Sequence, residues 1–273
     1  MRHSTKNAFI LFTNLLLLTC LISCKQIPYG ANKATGKYYN IRGFKMYCEI
    51  YGTGKPLLMI HGNDGSISTF SGLIPHFADE YKVIVADSRA QGKSTDSKDS
   101  LSYEMMADDF AALLDQMHID SAYVIGWSDG GVNAILMALR HPEKIKKMAI
   151  SGAILKPDPT IVDPAEWTEG ITKYNRLKTI SSKTNQQMHD WKLIRLEIDE
   201  KPISLNALQS IQCPTLVIGG DHDIINPKHT RLIQQNIPNS RLWIVPNSGH
   251  GTLFEHRRKF INKVDVFFDQ QVN

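Results

Sequence analysis

Cysteine is scarce in this chain: four residues in 273, at Cys20, Cys24, Cys48 and Cys213. There is no C-x-x-C and no Cys/His spacing of zinc type, which argues against a zinc-stapled fold and a dithiol redox centre. Cys48 and Cys213 lie in apolar runs, "FKMYCEIYG" and "CPTLVIGG". They are expected to be free thiols, since pairing requires Cα atoms within about 7 Å. Charge of one sign is also lacking. The net charge is +4, and Arg2 and Lys6 lie in a segment expected to be removed. No basic stripe with interleaved aromatics is present, so no nucleic-acid partner is expected. No internal repeat or low-complexity tract occurs. The 42% apolar and 21% charged fractions are those of a globular chain. The length fits one domain, with room for an inserted piece.

A long apolar run occurs only at the start, in "MRHSTKNAFILFTNLLLLTCLISCK". A short basic head precedes it, which is the layout of a signal peptide. The run is broken by Thr13 and Asn14 and is short of the about 20 apolar residues a membrane span needs. An uncleaved signal anchor is the competing reading. The "KQIPYGANKATGKY" that follows is polar and reads as a flexible tether over 24–39.

From about residue 40 the pattern is regular. "YYNIRGFKMYCEIYGTG" looks like a hairpin. Six short apolar runs then follow, at 56–62, 81–89, 122–128, 146–153, 214–221 and 241–247. They read as parallel strands buried on both faces. Helical patterns separate them, one opening with Ser102 as N-cap. Alternation of this kind implies a doubly wound α/β sheet. Residues about 154–205 break it. They carry no strand signal and predict two helices, near 164–180 and 185–198, forming a small cap.

The chemistry concentrates in "VIGWSDGG", residues 124–131. GWSDG fits G-x-S-x-G, between a strand and a helix. Small residues at Gly126 and Gly130 let the two elements approach and leave Ser128 at the apex. The competing reading is a glycine-rich turn with an idle serine. A serine needs a base, and the base needs a carboxylate to orient it. "NSGHGTLFE" offers His250 after the last strand, and "GGDHDIINP" offers Asp221 or Asp223 after the strand before it. The chain order is Ser, Asp, His. His222 has no second ligand at metal spacing, so no metal is expected.

Together, "HGNDGS", "ADSRAQGKS", "GWSDGG", "GDHDIINP" and "NSGHGT" resemble the α/β-hydrolase superfamily over essentially the whole chain from about residue 40. The resemblance implies a mostly parallel sheet flanked by helices, with the helical cap inserted. It implies Ser128 as nucleophile, His250 as base and, by match to G-x-x-D, Asp223 as the acid. It puts the oxyanion donors at the backbone N–H groups of Asn63 and Asp129. His61 is expected to be a structural hydrogen-bonding residue. Ala90 departs from the family's D-x-R-G-x-G-x-S, where a glycine is usual. Relatives with aspartate at the apex are dehalogenases and epoxide hydrolases. Serine here implies an acyl-enzyme, a small carboxylic ester as substrate and no cofactor. A proline-iminopeptidase-like enzyme, a lactonase or a C–C hydrolase shares the same triad. A catalytically silent binding module is the reading from another class, and the complete triad argues against it.

Asp129 has two readings. Family members that cleave amino-acid esters resemble this chain in carrying GWSDGG, so Asp129 is a candidate to meet a substrate ammonium group. The other reading turns it away to stabilise the helix N-terminus. The cap residues Trp167, Ile171, Met188 and Trp191 are expected mainly to pack. "LISC", residues 21–24, resembles a bacterial lipobox. That implies a signal peptide over 1–23 and an exported lipoprotein anchored in a membrane through Cys24, on the periplasmic or cell-surface side.

Overall fold

A computed structural model describes residues 27–96 and 100–270. Cys20, Cys24 and the lipobox lie outside the described residues. Eight strands form one sheet: β1 (Lys37–Ile41), β2 (Phe44–Tyr51), β3 (Lys55–Ile60), β4 (Tyr81–Ala86), β5 (Ala122–Trp127), β6 (Ile145–Ser151), β7 (Thr215–Gly220) and β8 (Ser240–Val245). Their spatial order is β1-β2-β4-β3-β5-β6-β7-β8. β1 and β2 form the expected antiparallel hairpin, β2 pairs antiparallel to β4, and the remaining pairs are parallel.

The helices are α1 (Ile74–Phe77), α2 (Tyr103–Gln116), α3 (Asp129–Arg140), α4 (Pro164–Lys178), α5 (Asn185–Ile198), α6 (Leu205–Leu208), α7 (Pro227–Asn236), α8 (Thr252–Glu255) and α9 (Arg257–Asp269). They cover both faces. Phe110, Ile135 and Ile233 from α2, α3 and α7 join one apolar cluster with Leu58, Val124 and Ile150 of the sheet. On the other face Phe260, Val264 and Phe268 of α9 pack with Leu57, Ile125 and Ile218. Strand residues therefore alternate between two cores, which is why five of the six apolar runs read as continuous. β8 departs from that reading: four of its six residues are only half-buried. It is an edge strand, with no neighbour on its outer side among the described residues.

The cap is α4 and α5, between β6 and β7. Each starts where the sequence supplies a cap. The Asp163 side chain accepts from Ala165 N at 2.9 Å, and Pro164 needs no acceptor. Thr184 and Gln187 form a reciprocal capping box. Leu193 and Leu196 of α5 reach the main core, and Asp163 N donates to Ile224 O at 2.7 Å. The cap is thus fastened over the carboxyl ends of the strands.

The tether expected over 24–39 is ordered in its second half. Glu49 on β2 is fully buried and makes no ion pair among the described residues. Four donors hold it instead: Gly30 N, Asn32 N, and the hydroxyls of Tyr47 and Tyr51, at 2.6 to 2.9 Å. A buried carboxylate requires such donors, and the arm provides two of them. Residues 37–39 already belong to β1. No helix among the described residues is long and apolar enough to cross a membrane.

Two stability predictions follow from these geometries. Glu49→Gln turns an amide N–H toward donors and should cost about 2–3 kcal/mol, read as a lower denaturation midpoint together with faster proteolysis within 27–36. Ala90 stands where the D-x-R-G-x-G-x-S pattern that the chain resembles has glycine, and it has φ +61°. Relief of that left-handed strain outweighs the added unfolded-state entropy, so Ala90→Gly should stabilise by about 0.5–1 kcal/mol, measured by the same unfolding curve.

Candidate active site

β5 passes into α3 through a single residue. Ser128 has φ +56° and ψ −121°, a region closed to most side chains. The turn is that sharp because strand and helix touch. A Cβ on Gly126 would lie 2.3 Å from Gly130 O, and one on Gly130 would lie 1.9 Å from Ile60 O. Ser128 N donates to Ser151 O at 2.8 Å, fixing the apex to β6. The hydroxyl stands at the N-terminus of α3, on the carboxyl edge of the sheet.

The loops after β7 and β8 bring the partners. His250 Nε2 lies 3.0 Å from Ser128 Oγ, and Nδ1 lies 2.7 Å from Asp223 Oδ1. With Nδ1–H donating to the carboxylate, Nε2 is left to accept the serine proton. The Asp223 side chain is fully buried and also accepts from Ile225 N at 3.0 Å. Asp221, the alternative acid, is turned away. It accepts from His222 Nδ1 and Ser248 N, and these bonds hold its pKa down to about 2. His222 lies on the exposed side of that pair.

The loop after β3 faces the serine from the other side. The backbone N–H groups of Asn63 and Asp129 donate to no protein acceptor among the described residues. Asp129 N is free because it opens α3 and has no preceding turn. Beneath the loop lies His61, whose burial lowers its pKa to about 4 and keeps it neutral. Its Nε2 accepts from Ser88 N at 3.0 Å, so Nδ1–H donates to Gly62 O at 2.7 Å. His61 thus joins the β3 loop to the β4 loop. Asp87 braces the same junction, accepting from Ile67 N and Lys93 N.

Above Ser128 and His250 is a cavity of about 450 Å³ beneath the cap. That size suits a small organic molecule. Asp129 lines it and is buried. Its Oδ2 has no hydrogen-bond partner among the described residues. Burial pushes its pKa up to about 7, Glu197 adds to the rise, the Tyr103 hydroxyl opposes it and Glu200 adds again. Trp167 also lines the cavity, whereas Trp191 stacks on Tyr174 beside Lys183 and Arg195 on the cap. Met188 lies by a separate hollow next to Ala90, and Ile171 is half-buried on α4. Among the described residues no cluster of three or more His, Cys, Asp or Glu is arranged to hold a metal ion. Cys48 and Cys213 are free thiols.

Several residues of the site carried no signal that pattern reading uses. Trp127 donates its indole N–H to His250 O at 3.0 Å and tilts its ring against the imidazole. Gly152 has φ +66° and lies directly under the imidazole. Tyr103, Glu197 and Glu200 reach the cavity from α2, α5 and the loop after α5. Only the glycine at a strand end gave a hint, and its role depends on a contact nearly 100 residues away in sequence.

With this geometry in hand, comparison with known proteins is informative. Residues 55–174 match the family model described as alpha/beta hydrolase fold. The chain is 25% identical to the mouse (Mus musculus) serine hydrolase BPHL, over 97% of each chain. It is 25% identical to 2-hydroxymuconate semialdehyde hydrolase of Pseudomonas sp. (strain CF600), covering 79% of this chain and 87% of that one. Among solved structures, the enol-lactonase from Burkholderia xenovorans LB400 superposes with a TM-score of 0.73 at 18% identity, covering 86% of this chain and all of that one. The fold is the α/β-hydrolase fold.

Gly152 provides the test of how tightly the imidazole is seated. A Cβ there would lie 2.6 Å from His250 Cε1. Gly152→Ala should displace the ring and lower kcat by about a hundredfold, as misplacements near 1 Å do, with KM nearly unchanged and a cooperative melt retained.

Proposed function

We propose that this chain is a serine hydrolase acting on small carboxylic esters through an acyl-enzyme, with a preference for esters that carry a cationic amine. The observation that supports the hydrolase reading is the relay Ser128–His250–Asp223, with contacts of 3.0 and 2.7 Å. His250 Nε2 takes the hydroxyl proton as Ser128 Oγ attacks the ester carbonyl. Asp223 steadies the imidazolium that forms. The negative charge developing on the carbonyl oxygen is met by the N–H groups of Asn63 and Asp129. His250 then gives its proton to the leaving alkoxide, leaving Ser128 acylated. Water enters, loses a proton to His250 and releases the acid. Nothing in this sequence of steps calls for a cofactor. The relatives named above are, by name, hydrolases of differing substrates, so the fold leaves the substrate open and the pocket sets the choice.

The amine preference rests on Asp129. The residue lines the cavity beside the nucleophile, and its buried Oδ2 has no hydrogen-bond partner among the described residues. A substrate ammonium would satisfy that oxygen and relieve the repulsion from Glu197 and Glu200. The N-terminal reading is also a proposal: export as a lipoprotein, with acyl chains on Cys24. Two or more chains hold a protein at a membrane where one is marginal. Cys24→Ala should then leave the protein in the soluble fraction of a fractionated bacterial host.

Two measurements test the enzymatic reading. Ser128→Ala should reduce turnover of p-nitrophenyl esters by at least about a thousandfold. Turnover equal to wild type would discard the assignment. The second compares an amino-acid ester with its N-acetyl form across pH. The amine must meet an ionised Asp129, and the pKa of that group is raised to about 7. The ratio of kcat/KM values, amine over acetylated, should rise about tenfold from pH 5 to pH 6 and then less steeply, bending near pH 7 where half of Asp129 is ionised. Taking the ratio removes any titration the two substrates share, His250 included. A ratio of one at every pH would remove Asp129 from recognition.

A further inference from the structure

One side chain of the cap touches both the oxyanion loop and the charged end of the cavity. Three residues one helical turn apart on α5, His189, Leu193 and Glu197, face the loop after β3. Asn63 Nδ2 donates to Glu197 Oε1 at 2.8 Å and to Leu193 O at 3.3 Å. Asp64 Oδ1 lies 3.3 Å from His189 Nε2. The other end of the Asn63 side chain is used as well, since its Oδ1 accepts from Asp64 N at 3.0 Å. Asp64 has φ +52°, so this loop is held in a conformation it would not adopt unaided. Both ends of the Asn63 carboxamide are therefore held, one by the cap and one by the next residue's N–H, and this fixes the residue whose own backbone N–H is the proposed oxyanion donor.

Glu197 also lines the cavity, and its charge acts on Asp129 and on Tyr103. It is exposed, so its charge is not there to stabilise a core. Two independent contacts converge on it: one to the loop that supplies an oxyanion donor, the other to the acidic wall of the substrate cavity.

We infer that Glu197 is a positioning residue that latches the oxyanion loop to the cap through Asn63, and that the same carboxylate helps select a cationic substrate group. The first part concerns transition-state geometry and belongs in kcat. The second concerns binding and belongs in KM. The inference rests on the hydrolase reading, but the latch has a structural readout of its own. Breaking it does not remove a catalytic group. It lets the Asn63 N–H swing away from the position of the developing oxyanion, a loss of preorganisation.

The experiment uses the full folded domain as wild type, Glu197→Ala and Glu197→Gln. Each is measured on a neutral p-nitrophenyl ester and on an amino-acid ester, and backbone amide exchange is followed over residues 62–65. Glu197→Ala should lower kcat on the neutral ester about tenfold with KM little changed, and should speed exchange in the loop. Glu197→Gln keeps an acceptor for Asn63, so it should recover kcat to within about threefold and restore slow exchange. It lacks the charge, so KM for the amino-acid ester should stay raised several-fold. Wild-type kcat and slow exchange in Glu197→Ala would overturn the latch. Equal impairment of the two variants on the neutral ester, with fast exchange in both, would overturn it too, because the acceptor alone would then be insufficient. An unchanged KM for the amino-acid ester in Glu197→Gln would overturn the selective role. If wild type turned over neither ester, the hydrolase reading would fall while the exchange data still decided the latch. A melting curve for each variant separates these outcomes from misfolding, and an exposed helical position tolerates alanine well.

Discussion

The whole site hangs on one close approach: β3, β5 and the first turn of α3 meet with no room for a side chain at Gly126 or Gly130. That contact forces Ser128 into a left-handed backbone conformation and lifts its hydroxyl clear of the sheet. The same contact opens α3 directly beside the serine, so that Asp129 N has no helical acceptor. The proposed nucleophile and the proposed oxyanion donor are therefore consequences of one packing constraint. The strain it stores, of order 1–3 kcal/mol, is held by the surrounding core, in which Ile60, Val124, Ile125 and Ile150 are essentially without solvent contact.

Around that point, buried carboxylates organise the loops. Asp87 gathers the backbone N–H groups of Ile67 and Lys93, and Asp109 takes a two-pronged bond from Arg89 at 2.6 and 2.7 Å. Glu49 does the same for the N-terminal arm. In each case the expense of burying charge is offset by donors placed for it. Asp129 is the exception. It is as deeply buried as these, but one oxygen lacks a donor and two further carboxylates repel it. That imbalance beside Ser128 is the feature on which the proposed preference for a cationic substrate rests.

Much of this was legible in the sequence, for a definable reason. Strands buried on both faces show as apolar runs, and the elbow and its partners fall at fixed points relative to them. Ser128, His250 and the pair Asp221 and Asp223 could therefore be placed from pattern, while choosing between the two aspartates and singling out Asn63 took the family resemblance. The Ser102 cap and the cap helices were likewise readable. What pattern missed depends on contacts between distant segments. The arm before β1 looks like a polar tether until Glu49 is seen beneath it. The edge strand β8 looks like a central one because its sequence is no less apolar. Trp127, Gly152 and Glu197 act through residues more than 90 positions away, and no local periodicity encodes that. The direction of Asp129 was open for the same reason, since a carboxylate in a first helical turn is ordinary until its surroundings are known.

The central claim is that Ser128 is an activated nucleophile in the folded chain, and covalent labelling tests it most directly. The protein would be treated with a fluorophosphonate at neutral pH, digested, and the adduct located by mass spectrometry, with heat-denatured protein alongside. The account predicts stoichiometric modification of Ser128 in the folded protein and none after denaturation, because activation depends on His250 and the oxyanion donors being assembled. Labelling of a different serine, or none under conditions where the fold is intact, would contradict it.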